Sequence, residues 1–427
     1  MDRQIYQKLL EWKAGNNRKP LILNGARQVG KTWLLKTFGQ QEYENIAYIN
    51  CDKNQVLQEV FGIDYDMKRI IRSLSALAEV DIQPGNTLLI LDEIQSAPKA
   101  LASLKYFCED APNYHVAVAG SLLGIALHQE ESFPVGKIDM LRIFPMNFEE
   151  FLLALGKKQM YEIVCNKDYT VMNTLSDAFI DLLRQYYYVG GMPEVVQAYI
   201  SDEGLQKVRT LQKQILFDYA KDFSKHAPSR EVPRINMVWQ SIPAQLAKEN
   251  KKFIYGAMKK GARATEFEIA IQWLIDTGLV HRVNRCRQPF LPLKMYEDIS
   301  AFKLFIVDCG LLGAMVDAPA SQILIGNSIF KEYKGAFTEQ YVLQQMVSKD
   351  EYSIYYYSSD DSRMEIDFLI QQEALITPIE VKAESNIRAN SLSQYLKEHP
   401  ELTAIRYSML PYKLQEHLIN IPLYAIL

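Results

Sequence analysis

The sequence predicts an α/β protein with a parallel, doubly wound sheet near its start, a helical middle and a second α/β region at its end. Three observations lead there. Short, continuous apolar runs alternate with helical stretches over the first third of the chain. From Glu149 onward the periodicity turns helical, and from Lys334 a new series reads αβββαβ. Continuous apolar runs suit strands buried on both faces, and their alternation with helices implies βαβ crossovers.

Taken in order, 21–24 is a short strand, followed by a glycine-containing loop and a helix through Phe38. Runs 45–50, 88–91 and 115–119 are further strands, and 98–108 is a helix between the last two. Pro145 and Gly190-Gly191 punctuate the helical middle. The stretch FEIAIQWLIDTGLVHRV has helical periodicity, a glycine turn and then a strand, the order of a winged helix-turn-helix. In the last region, helix 334–347, strands 353–357, 366–370 and 376–381, helix 392–398 and strand 404–408 follow one another. The expected division is 1–148, 149–230 (helical), 231–295 (winged-helix-like) and 296–427.

At 427 residues, 48% hydrophobic and 23% charged, the chain can bury several cores, which excludes disordered and collagen-like classes. A net charge of -4 excludes a wholly basic nucleic-acid binder. The charge is uneven, however. Residues 202–263 carry 13 basic and 6 acidic side chains, a local excess that either meets phosphates or forms a solvated helical face. The five cysteines are isolated, without metal-ligand spacing, and predict reduced thiols and a cytoplasmic setting. The six histidines show no ligand spacing either. The first twenty residues are polar and amphipathic, unlike a signal peptide, and no apolar run reaches the ~18 residues needed to span a bilayer, so no membrane partner is expected.

Gly25-Ala26-Arg27-Gln28-Val29-Gly30-Lys31-Thr32 fits G-x-x-x-x-G-K-[ST] in full, and Trp33 continues into the helix. Glycines let such a loop curl so that backbone N–H groups point at phosphate oxygens. Lys31 adds charge for the β- and γ-phosphates of ATP, and Thr32 offers a hydroxyl to Mg²⁺. Strand 88–91 ends in Asp92-Glu93. Asp92 is the candidate second Mg²⁺ partner, and Glu93 the candidate general base. Ser121, after strand 115–119, either senses the γ-phosphate or caps a helix. Arg142 is either an arginine finger, in cis or from a neighbouring copy, or a surface ion-pair partner. Arg27 is a rival phosphate contact.

NGARQVGKTWLL, LLILDEIQ, VAGSLLG, FPMNFEEFL and GGMPEVV, in this order, resemble the bacterial and archaeal AAA-like ATPases that carry a conserved C-terminal domain of unknown function. The resemblance spans nearly the whole chain. It implies a P-loop ATPase domain, a helical and winged-helix middle, and a C-terminal domain similar to PD-(D/E)xK (restriction-endonuclease-like) nucleases.

That last implication meets a matching set of residues. Asp367 lies in one strand, and Glu380-Val381-Lys382 ends the next. Residues two apart in a strand share a face, so Glu380 and Lys382 can meet Asp367 across the sheet. Two carboxylates there suit a hard divalent cation, with Lys382 orienting water and Glu339 as an added acid. The chain departs from the family name in one respect: Ile366, not proline, precedes the Asp.

Two functions follow. One is an ATPase acting with nucleic acid, with DNA contacts from 202–295 and the C-terminal domain, and a ring or dimer if Arg142 acts in trans. The other is a slow nucleotide-dependent switch whose C-terminal domain is a non-catalytic protein-interaction module.

Overall fold

The computed structural model describes residues 1–52, 54–120, 133–248, 251–325, 331–360, 364–383 and 390–426. Their packing divides into two compact units. One comprises Asp2–Phe144 with Asp276–Gly278, the other Pro145–Ile275 with Leu279–Leu427 and Met1.

In the first unit, strands β1 (Leu21–Asn24), β2 (Asn45–Asn50), β3 (Thr87–Asp92), β4 (His115–Gly120) and β5 (Asp139–Arg142) form a sheet in the order β2-β3-β4-β1-β5. Every pairing is parallel. The expected α/β class and its four strands are present. The fifth, β5, is an addition: its Asp-Met-Leu-Arg carries no continuous apolar signal, because an edge strand buries little. β3 and β4 are buried along their whole lengths, as central strands must be. On one side of the sheet, Ile22, Leu89 and Val116 join Leu57, Ile70, Leu74, Leu104 and Phe107 from the flanking helices in a single core. Burying that many aliphatic side chains, at roughly 25 cal/mol per Å² of apolar surface, is what holds the layers together.

In the second unit, eight strands form one mixed sheet. β6 (Val280–Cys286), β7 (Glu297–Ile306), β8 (Ser353–Ser358), β9 (Glu365–Gln372), β10 (Leu375–Val381), β11 (Ala404–Ser408), β12 (Lys413–Gln415) and β13 (Leu418–Pro422) lie in the order β12-β13-β11-β10-β9-β8-β6-β7. Helix Lys331–Lys349, β8, β9, β10, helix Asn390–Glu398 and β11 give the αβββαβ succession. β6 and β7 pair antiparallel, as a wing would, but β6 also pairs parallel with β8. The β-ribbon expected to close a separate 231–295 segment is therefore continuous with the C-terminal sheet. Such non-local pairing leaves no trace in periodicity.

The Gly190-Gly191 pair has a packing reason. Gly190 has φ +73, and a Cβ there would lie 2.2 Å from the Asp308 carboxylate. The Gly191 amide donates to Asp308 Oδ2 at 2.6 Å, and Gln344 Nε2 donates to the same oxygen at 3.0 Å. Burial raises the pKa of Asp308, against these hydrogen bonds. No helix among the described residues is long and apolar enough to cross a membrane.

Candidate functional site

The loop between β1 and helix Lys31–Glu42 is shaped by its glycines. A Cβ on Gly25 would lie 2.2 Å from the Ile143 carbonyl oxygen, so only glycine lets the chain after β5 close over the loop. Gly30 starts the helix at φ +94, a left-handed conformation that glycine adopts without strain. Ala26 and Val29 are buried and pin the loop from beneath, while Arg27 and Trp33 are exposed. Gln28 also has a positive φ, +67. Arg3 braces the arrangement, donating to Val29 O at 3.0 Å and to Phe144 O at 2.6 Å.

Lys31 is 8% exposed and donates to the carbonyls of Gly25 at 2.9 Å and Ala26 at 2.7 Å. Burial lowers its pKa to about 8, against the upward pull of Glu93 and Asp92. Helix Lys31–Glu42 buries Leu34, Leu35 and Phe38, which fixes its first turn beside the end of β3.

There Thr32 Oγ1 donates to Asp92 Oδ2 at 2.7 Å. Tyr48, from β2, donates to the same oxygen at 3.0 Å. The Glu93 amide donates to Asp92 Oδ1 at 3.1 Å. Asp92 is buried, and its carboxylate accepts from two hydroxyls and an amide. A hydroxyl and a carboxylate oxygen are the hard donors that Mg²⁺ takes, so this pair fits that ion. Burial, then Asp92, raises the Tyr48 phenol to about 12, keeping it a donor.

Glu93 follows with φ +52, a strained value for a side chain bearing a Cβ. Gln95 Nε2 donates to Glu93 Oε2 at 2.6 Å, and Gln95 Oε1 is buried without a partner. Sequence reasoning missed both Tyr48 and Gln95. An uncharged residue carries no motif signal, although Gln95 lies only two positions from Glu93. Arg142 ends β5 in register with Asn24, so it stands at the sheet edge from which the loop springs, exposed. Ser121 lies outside the described residues.

The second predicted constellation is in the other unit. Asp367 on β9 accepts the Val381 amide at 2.7 Å through Oδ2. Lys382 Nζ lies 2.5 Å from Glu380 Oε1 on β10. Glu339, on helix Lys331–Lys349, is 3% exposed and is paired with Lys251. Lys303, fully buried on β7, lies 2.5 Å from Glu365 Oε1 and 3.9 Å from Glu339 Oε2. Burial, and then the nearby Asp367, raises Glu339 to about 7 and Glu380 to about 8. Burial would lower the pKa of Lys303, but Glu339 and Glu365 raise it. The structure thus brings Glu339, Asp367, Glu380 and Lys382 into one electrostatic cluster. It adds Lys251, Lys303 and Glu365, which the sequence did not suggest because they are remote in the chain. Among the described residues, no group of three acidic, histidine or cysteine side chains is arranged to hold a metal ion.

The basic excess of 202–263 is partly engaged within the fold. Arg209 is buried and donates to Ala318 O at 2.8 Å, Lys213 lies 2.5 Å from Asp317, and Arg234 lies 2.7 Å from Glu231. Lys207, Lys221, Lys225, Lys259, Lys260 and Arg263 are exposed.

Residues 17–152 match the family model of an AAA domain. The N-terminal unit is an AAA-type P-loop domain. Residues 180–322 and 334–425 match two domains of unknown function, DUF8612 and DUF4143. No curated protein matches the chain. Among solved structures, the Walker-type ATPase of Pyrococcus abyssi is similar at 15% identity, covering 74% of this chain and 95% of that one, with a TM-score of 0.47. The ORC1 protein of Aeropyrum pernix, in complex with DNA, is similar at 14% identity over 75% and 92%, with a TM-score of 0.26. AMPPCP-bound DnaA from Aquifex aeolicus is similar at 16% identity over 64% and 86%, with a TM-score of 0.27. Likenesses this loose carry no argument about activity. The assignment of the AAA domain rests on its family model, its parallel sheet and its loop.

Proposed function

We propose that this chain binds ATP with Mg²⁺ at the AAA domain and hydrolyses it. The observation that carries the reading is the Thr32–Asp92 pair, 2.7 Å apart, beside Lys31 and immediately before Glu93. The amides of 25–32 cradle the phosphates, and Lys31 places its ammonium against the β- and γ-phosphate oxygens. Thr32 and Asp92 would hold magnesium, which when bound offsets the charge of those oxygens. Glu93 takes the proton of the attacking water, and Gln95 fixes the orientation of its carboxylate. Arg142 adds positive charge at the open sheet edge, in its own chain or toward a second copy. The test is ATP turnover by Glu93→Gln. It should bind ATP normally and turn over more slowly by on the order of a hundredfold. Unchanged turnover removes Glu93 from its role, and absence of ATP binding by the wild type removes the whole reading.

The cycle is read as acting on nucleic acid. Support comes from the exposed lysines of 207–260 with Arg263, and from the αβββαβ succession, which is that of nuclease-like domains. DNA affinity should then fall steeply with salt, and salt-independent or absent binding contradicts this part. One observation favours the non-catalytic form of the C-terminal domain: its carboxylates are already partnered by lysines.

A further inference from the structure

A nuclease-like reading of the C-terminal domain calls for a divalent cation between Asp367 and Glu380, with Glu339 beside it. The donors present do not fit that ion. Three carboxylates meet ammonium groups, Glu380 that of Lys382 at 2.5 Å, Glu339 (through Oε1) that of Lys251 and Glu365 that of Lys303 at 2.5 Å, while Asp367 Oδ2 accepts the Val381 amide at 2.7 Å and Glu339 Oε2 is buried without a hydrogen bond. Arg406, the register partner of Glu380 on β11, is a further buried cation. Glu339, Glu365 and Glu380 thus face the ammonium groups of Lys251, Lys303 and Lys382. A divalent ion entering this set must displace those ammonium groups, and desolvating it is expensive.

Two of these cations come from outside the αβββαβ succession, and both are anchored. Lys303 is borne by β7, with its ammonium 4.8 Å from the Tyr356 ring centroid. Lys251 lies two residues before Phe253, whose amide donates to Phe302 O at 2.7 Å. The Phe253 and Phe302 rings stack at 5.4 Å. Lys251 is therefore held beside β7 by its neighbour, and the pairing with Glu339 does not depend on a wandering side chain.

We propose that Lys251 and Lys303 are built-in counter-cations that hold the place of a divalent metal, making this cluster a metal-free ion network and the domain a non-cutting one. The inference is independent of the ATPase reading. It is tested with Mn²⁺ alone, titrated by electron paramagnetic resonance into the nucleotide-free full chain. Wild type and Asp367→Asn should give the same Mn²⁺ titration. Folded Lys251→Met should gain Mn²⁺ affinity by about tenfold or more, and the added Asp367→Asn should abolish the gain. Wild-type Mn²⁺ binding that Asp367→Asn removes overturns the proposal. So does a folded Lys251→Met that gains none. Should Lys251→Met fail to fold, the wild-type and Asp367→Asn comparison decides alone.

Discussion

Two buried acidic centres, one in each unit, differ in what meets their carboxylates. Asp92 of the AAA domain is met by the hydroxyls of Thr32 and Tyr48 and by an amide. Glu339, Glu365 and Glu380 of the other unit are met by Lys251, Lys303 and Lys382. Hydroxyls satisfy the hydrogen-bonding capacity of a carboxylate and leave its charge available to a cation. Ammonium groups satisfy both. The lesson is that an acidic motif at a strand end does not by itself make a metal site. The counter-charges packed around it, often from distant segments, decide.

This contrast can be broken by mutation. The largest expected effect on stability is in the lysine-paired centre. Lys303→Ala leaves the half-buried Glu365 without its partner and the buried Glu339 with Lys251 alone, and should destabilise the second unit by about 3 kcal/mol, read as a shift in its denaturation midpoint. Thr32→Ala removes one neutral hydrogen bond and should change the stability of the AAA domain by about 1 kcal/mol or less. Comparable losses in the two variants would erase the distinction.

A smaller effect sharpens the functional side. Gln95→Ala should lower kcat for ATP by about tenfold while KM stays within about twofold, because Gln95 acts through Glu93. An unaltered kcat would assign Gln95 to structure alone. Smallest of all, Glu380→Gln should leave ATP turnover within about twofold of wild type, since no residue proposed for nucleotide chemistry belongs to its cluster. A collapse of turnover in that variant would show that the two centres work as one.

Much of this was legible in the sequence, and the exceptions share a cause. Strands β1 to β4 announced themselves as apolar runs, and the loop of Lys31 by its spacing, because both signals are local. Strand β5 did not, being short, polar and at an edge. The pairing of β6 with β8 joins segments far apart in the chain, which periodicity cannot register. Asp367, Glu380 and Lys382 were suggested by their places on neighbouring strands, and Glu339 by the family resemblance. Lys251 and Lys303 were not, and they are the residues that change the chemistry expected of that cluster. Tyr48 and Gln95 escaped because neutral side chains acquire meaning only from what they touch.

The most direct measurement is a calorimetric titration of ATP with Mg²⁺ into the full chain, wild type beside Lys31→Ala. Wild type should give saturable heat with about one ATP per chain, and Lys31→Ala none. A flat wild-type trace, or equal heats from the two proteins, would contradict ATP binding at this loop.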